Sequence, residues 1–141
     1  MNLSLSKFNL ILVFFLAFAT TSVAANAINV SLSGAQEVPA VSTAASGSGT
    51  ITIGAAQSVS GSVTTSGVEG SMAPIHMATT GQNGPVIAPM TRTADNVWSI
   101  SAGAKLTYAQ YQSFKDNNSH INVHSANLRG GEVRRQLKSL L

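Results

Sequence analysis

Gly49-Thr50-Ile51-Thr52-Ile53 sets apolar side chains two residues apart with small polar ones between them. Successive side chains of a strand point to opposite faces, so this spacing marks a strand with one buried face. The same period runs through Ile28-Val30-Leu32 upstream and through Val59-Gly61-Val63, Ile121-Val123 and Val133–Leu137 downstream. Breakers separate these runs: Gly34, Pro39, Gly54, Gly67, Gly70, Gly81, Gly84-Pro85, Gly103 and Gly130-Gly131. Short strands at such regular spacing predict an all-β sandwich or barrel and argue against a parallel α/β fold.

One segment departs from the period. Over residues 107–116 a Thr able to cap precedes apolar residues at 108, 111 and 114, which predicts one short helix. Its Tyr108/Tyr111/Phe114 stripe is expected to face inward and close one end of the sheet structure.

The N-terminus carries export signals. Lys7 precedes the unbroken apolar run Leu10–Ala19, and Ala25-Asn26-Ala27 offers a small-x-small cleavage site, with Ser22-Val23-Ala24 as a second choice. The run is about half the roughly 20 residues that span a bilayer. The reading is therefore a signal peptide over residues 1–27 and one secreted or periplasmic domain over 28–141, with no membrane span after processing. That domain would have 114 residues with 7 basic and 5 acidic side chains, enough chain to bury a core of its own.

Composition removes several function classes. The chain has no cysteine, which excludes thiol enzymes, disulfide scaffolds and zinc fingers. It shows no phosphate-binding glycine loop and no nucleophile elbow. The five acidic residues are never close in sequence, so no two-carboxylate site follows from spacing. Arg129, Arg134, Arg135 and Lys138 make the C-terminus basic. Alternation would point Arg134 and Arg135 to opposite faces and no aromatic is interleaved, so these charges read as a solvated edge and not as a nucleic-acid site.

His76, His120 and His124 are the three imidazoles. Imidazole suits copper or zinc, and the thioethers of Met72, Met77 and Met90 would add a soft ligand for Cu(I). His120 and His124 share a strand face but lie about 13 Å apart along it. A metal site must therefore join strands, for example His76 with His124, plus Asn122 or Met72. The other reading makes the histidines partly buried polar residues bonded to backbone.

Six stretches together resemble the CHRD domain, the repeated module first described in chordin. They are Leu32–Val41 (LSGAQEVPAV), Gly47–Thr50, Ala73–His76, Gly84–Val86, and Asn122–Ser125 with Gly130–Arg134. The resemblance implies an antiparallel Ig-like β-sandwich with a likeness to the copper/zinc superoxide dismutase architecture. It offers no agreed reaction for single exported domains. His76 and His124 match family positions and His120 does not. Where the family commonly shows His-Ile-His, this chain has Pro74-Ile75-His76, which removes a chelating i, i+2 pair; Arg135 stands where a small Gly is usual. Superoxide dismutase chemistry uses six His and an Asp, against three His here, so superoxide chemistry at a single copper is at most a minor reading. The expected function is a non-catalytic exported binding or structural module meeting a protein or cell-surface partner. The alternative is a periplasmic copper-binding protein using His76 and His124, helped by His120 or a Met.

Overall fold

A computed structural model describes residues 26–54 and 56–140. The signal-peptide reading falls on residues 1–25, outside the described part, except for its last two positions. Asn26 and Ala27 already belong to the first strand. Asn26 is buried, and its amide bonds Ser139 Oγ and accepts from the Leu140 N–H, so the folded part includes residues upstream of the expected boundary at Ile28. Among the described residues no helix is long and apolar enough to cross a membrane.

Eight strands form: β1 Asn26–Ser33, β2 Ser46–Ile53, β3 Val59–Ser66, β4 Gly70–Met77, β5 Val86–Ala94, β6 Val97–Ile100, β7 Ser119–Ser125 and β8 Val133–Leu137. All the runs with clear period-2 alternation are strands. The others, β4, β5 and β6, lack it. In β4 the four residues Ala73–His76 are all buried, because one face meets the core and the other is covered by loops, so no alternation shows.

The strands close in the order β1-β2-β3-β6-β5-β4-β7-β8, every pair antiparallel. The last strand returns to the first through Ser33 opposite Arg134. The expected Ig-like sandwich with superoxide-dismutase-like architecture is therefore corrected to a closed eight-stranded β-barrel. The period tells which face of a strand is buried. It carries no information on the distant pairings β3–β6, β4–β7 and β1–β8 that close the sheet on itself and leave it no edges.

Alternate residues of every strand fill the interior. Leu32, Ile51, Ile53, Val63, Ile75, Ile121, Val123, Val133 and Leu137 are all essentially inaccessible to water. Truncating one of them, such as Ile121→Ala, removes that burial and leaves a cavity, a cost of about 2–5 kcal/mol. The predicted helix forms as α1, Tyr108–Lys115, between β6 and β7. Thr107 caps it through a reciprocal pair of bonds: its hydroxyl accepts from the Gln110 N–H and its N–H donates to Gln110 Oε1. Phe114 is fully buried and Tyr111 packs against the core, but Tyr108 is 68% exposed. The inward stripe is thus two residues long, since Tyr108 sits in the first turn, beyond the rim of the core.

β7 differs from the other strands in that all seven of its residues are buried. Ile121 and Val123 face the barrel interior. His120, Asn122 and His124 face outward, under the loops that carry residues 34–41, 79–85 and 126–131.

Gly131 belongs to that cover. It has φ +129, and a Cβ there would collide with Glu37 Oε1 and Asn122 Nδ2. Gly130, by contrast, has open space around its Cα. Gly131→Ala should lower stability by roughly 1–3 kcal/mol in thermal or denaturant melts, while Gly130→Ala should stay within about 0.5 kcal/mol of the parent. Equal losses in the two variants would contradict this assignment.

Candidate functional site

β4 and β7 pair with His76 opposite His120 and Met72 opposite His124. Cross-strand partners share a face, so the three imidazoles and Met72 are gathered on the outer side of the barrel. The His76 and His120 rings stack, 4.8 Å apart and 7° from parallel. The His76 and His124 rings lie 5.7 Å apart and are tilted by 33°. His76 thus sits between the two histidines that are separated along β7. His120 is 1% exposed, and His76 and His124 are 9% exposed.

Backbone carbonyls orient two of the rings. His76 Nδ1 is 2.8 Å from Gly84 O, and His124 Nδ1 is 2.6 Å from Arg129 O. A carbonyl only accepts, so each Nδ1 carries the proton. In His76 this leaves Nε2 as a lone pair, and that atom is buried with no partner. His120 Nδ1 is likewise buried and unpartnered.

His124 Nε2 is 3.0 Å from Asn122 Oδ1, while Asn122 Nδ2 donates to Gly130 O at 3.2 Å. The second bond sets the amide orientation, since turning the amide over would oppose two oxygens. Both ring nitrogens of His124 therefore face acceptors. A neutral imidazole has one N–H, so with Nδ1 protonated the Nε2 lone pair of His124 faces the Asn122 oxygen.

Burial disfavours the protonated forms of His76 and His120. Burial lowers the pKa of His76, and the bond to Gly84 only partly offsets this. Burial, followed by the charge of Arg134 and the neighbouring His76 and His124, brings His120 down to about 3. Arg134 is itself 2% exposed, which corrects its reading as a solvated edge charge. Its guanidinium donates to Asn83 Oδ1 at 2.9 Å, Gln82 O at 2.8 Å and Gln136 Oε1 at 3.4 Å. Glu37 is also buried. Burial raises its pKa, against the opposing effects of Arg134 and a hydrogen bond from Asn122.

A family model, the CHRD domain, matches residues 28–137. The chain belongs to the CHRD family. Searches of curated proteins and of solved structures found no match. The matched span contains the entire outer cluster of the CHRD domain: Glu37, His76, His120, Asn122, His124 and Arg134. Among its described residues, no group of three or more His, Asp or Glu is arranged to hold a metal ion. The His124 Nε2 and Asn122 Oδ1 atoms meet at 3.0 Å, with the His76 ring beside them, its centroid 5.7 Å from that of His124.

Sequence reasoning placed His76, His124 and Asn122 together. It missed the carbonyls of Gly84 and Arg129, which only the folded loops present, and it missed Glu37. The available signal for Glu37 was that an acid stands inside an otherwise apolar stretch, Val38-Pro39-Ala40-Val41 following it.

These shifts make the metal-free fold sensitive to acid. The folded state binds protons on His76 and His120 less readily than the unfolded chain, so their contribution is present above the unfolded value of 6.5 and is lost as pH falls through 6.5 toward about 3. Glu37, with its pKa raised above 4.5, acts in the opposite sense. The melting temperature should fall on acidification from pH 7, and His120→Phe, which keeps a stackable ring without a titrating group, should flatten that fall. A pH profile unchanged by His120→Phe would contradict the reading.

Proposed function

We propose that this CHRD domain is an exported, non-catalytic binding module whose ligand is a copper ion held by His76 and His124, with Asn122 as the oxygen donor. The observation that carries the reading is the paired tautomer: both Nδ1 atoms are committed to backbone carbonyls, so both Nε2 atoms are left to serve as ligands. A metal-binding His usually donates its other N–H in this way, which fixes the ring and raises its basicity. The neutral state of His76 also favours the reading, because a protonated imidazole has no lone pair to give.

The separation of 3.0 Å between His124 Nε2 and Asn122 Oδ1 suits two donors sharing one ion at about 2.0–2.2 Å each. Two imidazoles and one amide oxygen fall short of the four ligands of a structural zinc site. Low coordination with soft ligands nearby favours Cu(I); Met72, the cross-strand partner of His124 and 46% exposed, supplies a thioether on the same outer face. His120 has a different part. Its plane is parallel to that of His76, so their in-plane lone pairs do not converge, and it acts as a platform that holds the His76 ring. Export fits the leader reading, with processing after Ala24 so that Asn26 stays in β1.

A competition titration with Cu(I) checks this. We expect one ion per chain, with affinity reduced tenfold or more in His76→Ala and in His124→Ala and a higher melting temperature for the loaded protein, as binding to the native state requires. Unchanged binding in both variants would refute the site.

A further inference from the structure

The two ends of the barrel differ in charge. The strand register puts Asn26, the turn between β2 and β3, the 101–118 segment with α1, and residues 138–140 at one end, where β1 begins. Hydrogen bonds join these segments: the Leu106 N–H donates to Gln57 O at 2.8 Å, the Ser139 N–H to Asn117 Oδ1 at 2.9 Å and the Leu140 N–H to Asn26 Oδ1 at 3.3 Å. All three lysines of the described residues, Lys105, Lys115 and Lys138, lie here, against a single acid, Asp116. The other four acids, Glu37, Glu69, Asp95 and Glu132, stand in the links at the opposite end, and the rest of the described residues hold four arginines to match them. The excess positive charge is thus concentrated at the end where the chain enters the barrel. So are the two most exposed of the large apolar side chains, Tyr108 at 68% and Leu140 at 75%.

We infer that this end of the exported domain docks reversibly on a membrane surface of anionic phospholipid, with Lys105, Lys115 and Lys138 over the headgroups and Tyr108 and Leu140 in the interface. Lysine is drawn to a negatively charged headgroup layer, and a Tyr ring with its polar hydroxyl settles at that depth. The chain itself fixes the orientation. β1 begins at Asn26, six residues after the apolar run over residues 10–19. Six residues span at most about 20 Å, so before processing a run held in the bilayer keeps this end, and not the opposite one, toward the lipid. The inference rests on the export reading and not on copper, since none of the metal donors His76, His124 and Asn122 is among these residues.

The test uses the metal-free chain from Ala25 onward, since the barrel closes within residues 26–140. It measures co-sedimentation with vesicles of phosphatidylcholine alone and of phosphatidylcholine mixed equally with phosphatidylglycerol. Binding is expected with the anionic vesicles alone, and should be lost in high salt, which screens surface charge. Lys105→Gln, Lys115→Gln and Lys138→Gln should each weaken it about fivefold, the value of one lysine near such a surface. Arg92→Gln, toward the opposite end, should leave it unchanged. Tyr108→Trp puts an indole in the contact, where brominated phosphatidylglycerol should quench its fluorescence. Equal binding to neutral vesicles, no binding at millimolar anionic lipid, an equal loss in Arg92→Gln, or Tyr108→Trp emission indifferent to the brominated lipid would overturn the inference. Binding to dissolved polyphosphate but not to vesicles would overturn it too, and would assign this end to a soluble polyanion.

Discussion

Both faces of β7 are out of water, and the rest of the architecture follows from that constraint. Ile121 and Val123 complete the apolar interior, while His120, Asn122 and His124 on the reverse face must find partners for every polar atom they bury. Three loops supply most of them. Gly84 O and Arg129 O receive the two Nδ1 protons, Gly130 O receives the Asn122 amide, and Asn83 and Gln82 receive Arg134. The polar layer therefore ties these loops to the outer face of the barrel.

The same layer leaves two buried imidazole nitrogens unpartnered, His76 Nε2 and His120 Nδ1. An unpartnered buried polar atom costs about 1–3 kcal/mol, a cost that a ligand at His76 Nε2 would relieve. At His76 and His124 the relief calls for a positive ion, since one nitrogen is bare and the other faces an oxygen.

Much of this was legible in the residues. Alternation located five strands, Thr107 located the start of α1, and the spacing of His120 and His124 along one strand implied that His76 must come from another. What was hidden depends on distant chain segments. Closure of the barrel rests on pairings such as Ser33 with Arg134, which no local pattern encodes. β4 hid its strand character because both of its faces are covered. Arg134 looked like an edge charge because a lone Arg in an alternating run usually reaches water; here the 79–85 loop closes over it and supplies neutral acceptors. Tyr108 failed in the other direction, since helical spacing places it on the buried stripe but the first turn of α1 lies beyond the core.

The central claim is that His76 and His124 are held with Nδ1 protonated and Nε2 free to bind a cation. Long-range ¹H–¹⁵N correlation spectra of the imidazoles, recorded before and after one equivalent of Cu(I), test it most directly. The account predicts that His76 is the Nδ1–H tautomer in the metal-free protein, and that Cu(I) shifts the Nε2 resonances of His76 and His124 while both Nδ1 protons stay in place. A proton on His76 Nε2 in the metal-free protein, or displacement of an Nδ1 proton by the metal, would contradict it.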